Sequence, residues 1–219
     1  MGVAKMREGT GREWPENVAE LDAGLHWAIE SIADRELRHF CHGIFEPGEL
    51  RAGFLTAPAS AENHHAFPGG LAMHSLESFG LFNQFAQIGR PLPAEDCDIG
   101  RIACLLHDIG KALPQSTVSG RHAHEHAARE FLAPHLKNLA VQRKRAALLI
   151  EHCIGGHREQ GSSSRLLYAV RQADITSACM NNEAIALSEG KRDGAFITLR
   201  TNGPQRRYYS PTDQLDGIE

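Results

Sequence analysis

The sequence predicts an all-α fold, a helical bundle ending in a short C-terminal hairpin or extended tail, and three observations carry that expectation. Apolar residues recur at helical spacing along most of the chain, with Gly and Pro as the breaks. One segment, residues 102–106, is apolar all round, as a helix buried inside a bundle must be. Strand-like texture appears only beyond Gly190, in Phe196-Ile197-Thr198-Leu199 and Tyr208-Tyr209. At 219 residues the chain fits one domain with an appendage. The expected division is a polar lead over 1–15, a helical domain over 16–188 with its core motifs in 55–180, and a hairpin or tail over 189–219.

Taken in order, Val18, Leu21, Leu25, Ile29, Ile32, Leu37 and Phe40 predict one long amphipathic helix from Pro15 to about Cys41. Gly43, Pro47 and Gly48 end it, and a short helical piece follows over 49–55. After His64-His65-Ala66-Phe67-Pro68-Gly69-Gly70, the spacing of Leu71, His74, Ser78, Leu81, Phe82 and Phe85 predicts a helix ending near Gly89. The buried helix spans 98–108, with Gly110 expected as its left-handed cap. A loop over 112–121 leads to helices over 124–132, 139–153 and 164–180, and glycines at 155–156 and 161 bracket a linker before the last.

Composition narrows the function classes. A net charge of −4 argues against a protein that coats nucleic acid by bulk electrostatics, although a local basic patch remains allowed. Arg outnumbers Lys 18 to 5, which suits phosphate recognition but also follows from genomic bias. The five cysteines form no C-x-x-C pair, so a zinc knuckle or redox motif is excluded and reduced thiols are expected. No apolar signal core, myristoylation motif or ~20-residue apolar run is present, so no membrane partner and a cytoplasmic location are expected. The unusual feature is histidine: 13 in all, ten of them between His64 and His157.

Several of these lie where the helical pattern calls for apolar residues. His74 falls on the inward stripe of its helix, His107-Asp108 ends the most hydrophobic helix, and His152 and Asp174 follow apolar residues at one-turn spacing. Uncompensated polar groups in a core are costly, and a shared cation would satisfy them together. Imidazole and carboxylate without thiolate suit Mn, Fe, Zn, Ni, Co or Mg, with positions left open for water.

The strings Gly69-Gly70-Leu71-Ala72-Met73-His74, Leu106-His107-Asp108-Ile109-Gly110-Lys111 and Ala173-Asp174 resemble the H…HD…D signature of the HD-domain metal-dependent phosphohydrolase superfamily. That resemblance implies a helical bundle in which His74, His107, Asp108 and Asp174 hold a divalent metal. By the same resemblance, His124 in His124-Glu125-His126-Ala127-Ala128 and His152 in Leu149-Ile150-Glu151-His152 imply a second metal, bridged to the first by Asp108. His122 and His126 stand close enough to leave the choice among the three open. His135 and His157 are read as surface or supporting histidines.

A narrower likeness, Pro58-Ala59-Ser60, His64-His65, Gly69-Gly70-Leu71 and His74-Ser75-Leu76-Glu77, is similar to HD-type relaxases of conjugative elements and to HD-type 3′-to-5′ exoribonucleases, with the relaxase branch favoured. It implies a phosphodiesterase acting through a metal-activated water on single-stranded nucleic acid. Asp108 is expected to orient that water. Lys111 contacts phosphate or serves as a helix-end cation. His64 or His65 protonates the leaving group, or the pair stabilises a turn against Phe67. Lys191, Arg192, Arg200, Arg206 and Arg207, interleaved with Tyr208 and Tyr209, would suit a nucleic-acid strand, though such a patch also fits a solvated hairpin. Two further classes compete: a nucleotide or deoxynucleotide phosphohydrolase, and a metal-stabilised interaction module without turnover. Oligomeric state is left open by the sequence.

Overall fold

The computed structural model describes residues 17–113, 123–156, 164–193, 196–199 and 206–209. The 1–15 lead, most of the 112–121 loop, His122 and His157 lie outside these residues. Among the described residues, seven α-helices precede a small three-stranded sheet, as the all-α reading with its C-terminal appendage expects.

The single helix expected from Pro15 to Cys41 is two: α1 (Val18–Glu30) and α2 (Arg35–Ile44). The apolar period runs on through Ile32, which hides the break. The polar residues make it: the Ser31 hydroxyl returns to the Ala28 carbonyl at 2.7 Å, and the Asp34 carboxylate caps α2 by accepting from the Glu36 and Leu37 amides at 2.9 and 3.0 Å. The Asp34 amide in turn donates to buried Asp98 at 2.8 Å, tying this corner to α5 (Ala94–Leu106).

Between them lie α3 (Glu49–Thr56) and α4 (Gly70–Phe85). Helix α4 is the axis of the bundle, packed by α1, α3, α5 and α7 (Arg165–Glu189). It is consequently buried well beyond one stripe, from Leu71 through Phe82. Phe82 shows how close the packing is, because a Cβ at Gly100 of α5 would lie 2.0 Å from its ring. Helix α5 is as enclosed as its sequence predicts, with Ile99, Ile102, Ala103, Leu105 and Leu106 all buried.

Helices were expected over 124–132 and 139–153, and the structure has one assigned element, α6 (Ala123–Gly156), with a bend at Arg143 (φ −128°, ψ 56°). It folds back there. A Cβ on Gly155 would lie 3.2 Å from the Arg129 guanidinium, whereas 26 residues of straight helix would separate those positions by about 39 Å. Two antiparallel limbs therefore exist, but Pro134 stays inside the first and the reversal falls at Arg143. Its guanidinium reaches Asp34 at 2.7 Å and Glu36 at 3.0 Å beside α2, and Glu95 at 2.8 Å on α5.

The appendage is a sheet of β1 (Lys191–Asp193), β2 (Phe196–Leu199) and β3 (Arg206–Tyr209), antiparallel in sequence order. Ile197 and Leu199 point inward and pack with Ala186 and Ile185 of α7. The last helix thus runs well past the expected end at Met180. No helix among the described residues is long and apolar enough to cross a membrane.

Candidate metal centre

Four chain segments meet at one end of α4. That helix contributes His74, fully buried, from the stripe that also carries Leu71 and Ser78. The C-terminus of α5 contributes His107 and Asp108, after which a 3-10 turn, Ile109–Ala112, redirects the chain. From α7 come Asp174, Ser177 and Asn181, spaced three and four apart and so on one face. The start of α6 contributes His124.

Gly110 sits inside that 3-10 turn and is not the left-handed cap expected of it; among the described residues the positive-φ glycines are Gly69 and Gly89. What requires glycine at 110 is proximity, since a Cβ there would lie 1.8 Å from the His124 carbonyl oxygen. The absent side chain lets the dyad turn touch the start of α6 and brings His124 Nε2 to 3.7 Å from Asp108 Oδ1.

The donor atoms converge. His74 Nε2 lies 3.1 Å from His107 Nε2, 3.1 Å from Asp174 Oδ1 and 3.9 Å from Asp108 Oδ2. His107 Nε2 lies 3.6 Å from Asp108 Oδ2 and 3.7 Å from Asp174 Oδ1. Neighbouring ligands on a cation with bonds of about 2.1 Å stand about 3.0–3.4 Å apart, so the separations around each imidazole Nε2 lie near those of a divalent ion's shell.

Hydrogen bonding on the far side of each ring fixes its tautomer. His107 Nδ1 faces the Cys104 carbonyl at 2.8 Å, which only accepts, so this nitrogen carries the proton. The Ser177 hydroxyl donates to Glu77 at 2.6 Å and must therefore accept from His74 Nδ1 at 2.9 Å. Neutral rings then present two Nε2 lone pairs to each other and to two carboxylates. Such a cluster of acceptors could hold a cation. Without a metal, a proton partly fills the role. Burial pushes His107 down, but Asp108 and Asp174 outweigh it and raise its pKa, while burial keeps His74 below its ordinary value. Both carboxylates stay well below the ordinary range despite burial, Asp108 through His107, Lys111 and His74, and Asp174 through the two imidazoles. Lys111 Nζ lies 2.5 Å from Asp108 Oδ2.

The other expected residues divide. His64 stacks beside His74 with ring centroids 4.7 Å apart. Burial, then His74, His65 and Lys111, press its pKa down to about 3, so its ring is neutral at physiological pH. His65 is fully buried at φ 50°, an uncommon conformation for a residue with a Cβ. Its amide donates to Asn181 Oδ1 at 2.6 Å, and its Nε2 lies 3.0 Å from Glu77 Oε2. His126 is exposed and pairs with Glu130 at 3.4 Å. His135 packs beside Phe131 with ring centroids 5.2 Å apart.

His152 does not face the core as expected. The buried stripe of its limb is Ala146, Ala147, Ile150, Cys153 and Ile154, and His152 projects from the opposite side with Leu148, which is itself 55% exposed. Apolar character at Leu148 misplaced the stripe.

Sequence reasoning passed over Glu77, Ser177 and Asn181. Their signal was present: Glu77 is three residues after His74, and Ser177 and Asn181 are three and seven after Asp174, each on the same helix face as a ligand candidate.

Comparison with known proteins gives the same outline. The sequence profile of the HD domain matches residues 71–179. Among curated proteins, the chain is 25% identical over 181 residues to the 3′-5′ exoribonuclease YhaM of Bacillus velezensis, covering 74% of this chain and 54% of the relative. The protein of the same name from Bacillus subtilis is 24% identical over the same shares. That from Shouchella clausii is 27% identical, covering 76% of this chain and 55% of the relative. The chain thus spans about half the length of the curated relatives it matches. No solved structure gives a significant match.

Proposed function

Residues 71–179 are an HD domain, and from that premise we propose that the chain is a metal-dependent phosphodiesterase acting on single-stranded nucleic acid. The carrying observation is that the Nε2 atoms of His74 and His107 each lie within 3.1–3.9 Å of one another, of Asp108 Oδ2 and of Asp174 Oδ1, with both imidazole tautomers set to leave lone pairs inward. The relatives named above carry an exoribonuclease name, which favours that branch over the relaxase likeness for the substrate.

In this reading His74, His107, Asp108 and Asp174 hold one divalent ion. Asp108 turns its second oxygen toward His124 at 3.7 Å, so a second ion would be held by Asp108 and His124, while His152 projects from the outer side of its limb. Bound cations supply Lewis acidity, acidifying water and drawing charge from the phosphoryl oxygens. Asp108 would orient the attacking water by accepting a hydrogen bond from it. Lys111, at the rim of the same carboxylate, would donate to a phosphoryl oxygen as a point charge. His64, neutral beside His74, offers a hydrogen bond to the leaving oxygen rather than a formal positive charge. His65 is enclosed and serves the turn.

The test is a panel of single-stranded RNA, single-stranded DNA and nucleoside mono- and triphosphates, each with Mn, Mg, Ni, Zn or Fe. Shortening of oligonucleotides, lost in Asp108→Ala, is the expected result. Turnover of mononucleotides alone would replace the proposal with a nucleotide phosphohydrolase. Metal-dependent stability with no turnover anywhere in the panel would leave only an interaction module.

A further inference from the structure

Behind the converging donor atoms lies a second, drier layer of side chains, Glu77 and Ser177, to which the sequence assigned no role. Glu77 is a carboxylate with only 7% of its side chain exposed, three residues beyond His74 on the enclosed helix α4. Buried carboxylates are retained only with partners of good geometry. Glu77 Oε2 accepts from the Ser177 hydroxyl at 2.6 Å, and His65 Nε2 approaches it to 3.0 Å as a close polar contact that lacks hydrogen-bond geometry.

Ser177 is the central member. A hydroxyl has one proton and can accept as well. With that proton committed to Glu77, its oxygen can only receive from His74 Nδ1, 2.9 Å away. The direction of the Glu77 bond therefore decides which nitrogen of His74 carries hydrogen. The alternative tautomer is within reach, because His74 Nε2 already lies 3.1 Å from Asp174 and could donate to it. That alternative would place a proton where the cation belongs.

The geometry points to Glu77 and Ser177 as positioning residues: a Glu77–Ser177–His74 relay holds His74 in its Nδ1-protonated form, keeping Nε2 open for a metal ion. The same carboxylate lies beside His65, whose φ of 50° is held by Asn181. One buried acid thus sets a ligand's tautomer and lies against the turn that carries His64, a turn held at the His65 amide by Asn181. The inference rests on reading the cluster as a metal centre.

The relay makes a distinction that general loss of packing does not. Glu77→Gln keeps the shape but supplies an amide donor, freeing the Ser177 hydroxyl to turn its proton on His74 Nδ1. Ser177→Ala removes the acceptor, and Ser177→Thr keeps it. All three are compared with the parent chain by nitrogen NMR of labelled histidines in the metal-free protein, and by cobalt(II) titration followed in the visible d–d bands. Far-UV circular dichroism checks the fold.

In the parent and in Ser177→Thr, His74 should show a protonated Nδ1 and a bare Nε2. In Glu77→Gln and Ser177→Ala the proton should move to Nε2, with cobalt affinity falling about 10–100-fold, the usual loss when a ligand's supporting partner is removed. Ser177→Thr should stay within about threefold of the parent by the same measure. Unchanged tautomer and affinity in both Glu77→Gln and Ser177→Ala would overturn the relay. Equal loss in Ser177→Thr would do so as well, since it would reduce Ser177 to a packing requirement. If the parent takes up no cobalt, the metal reading falls, and the tautomer comparison still decides the relay.

Discussion

Replacing Gly110 by alanine tests the proximity that brings the dyad to His124. The added Cβ would stand 1.8 Å from the His124 carbonyl oxygen, 2.7 Å from its carbon and 3.0 Å from the Ala128 amide nitrogen. Ordinary contact begins at 3.4 Å, so the helix backbone must retreat by about 1.6 Å. The obstructing atoms are main chain and cannot swing aside as a rotamer would. Overpacking a filled interior costs about 1–3 kcal/mol, and a rigid obstruction belongs at the upper end. For a domain of this size, about 3 kcal/mol lowers Tm by roughly 6–12 °C. The first turn of α6 carries His124, now 3.7 Å from Asp108, away with it. His74, His107, Asp108 and Asp174 remain in place. Thermal unfolding in EDTA and elemental analysis after metal loading form the assay, and the expected outcome is the lower Tm together with a fall from two metal equivalents to one. A variant with parental Tm and parental metal content would refute the account of Gly110.

Three further outcomes are expected. His124→Ala should also retain one metal equivalent of two by elemental analysis, but without the loss of Tm, because its side chain is only partly buried; thermal unfolding separates it from Gly110→Ala. Metal affinity should rise with pH through the raised pKa of His107 and level off above it, because the ion displaces a proton held there; titrations at several pH values would show a flat profile if His107 is not a ligand. The metal-free chain should lose stability on acidification below pH 6.5 and toward 3, since the unfolded chain protonates His64 at its ordinary value while the fold keeps it neutral to about 3. His64→Gln should make that pH dependence shallower by up to about 1.4 kcal/mol per pH unit, and denaturant titrations that retain the parental slope would contradict this assignment.

The residues that could be read from sequence were those whose polarity conflicts with their helical position. His74 on an apolar stripe and His107-Asp108 ending an apolar helix are conflicts visible in one dimension, and the structure places all three in the interior. Asp174 follows Leu167 and Val170 on the inward side, and it does so because both of those are themselves buried. The same reasoning failed at His152, where Leu148 is an exposed apolar residue and gave a false phase.

Other features depend on contacts that periodicity does not encode. The division of α1 from α2 is made by Ser31 and Asp34, whose side chains satisfy helix ends while the apolar pattern continues past them. The reversal in α6 is stabilised by carboxylates that lie 48 to 109 residues away in sequence from Arg143. Glu77 and Ser177 are separated by 100 residues, so each reads alone as an ordinary polar position until the helices are packed together.

Helix α7 presents Asp174, Ser177 and Asn181 along one side, to the converging donor atoms, the His74 tautomer and the His65 backbone respectively. All three are therefore governed by a single rotational phase. Each residue turns an α-helix by 100°, so one insertion or deletion ahead of Asp174 would swing the whole side away together, whereas a substitution removes one function at a time. A substitution on this side costs one contact, whereas a change of length costs all three. The helix acts on the site like a key with three teeth cut on one edge: its teeth can be altered singly, but it fits at only one angle.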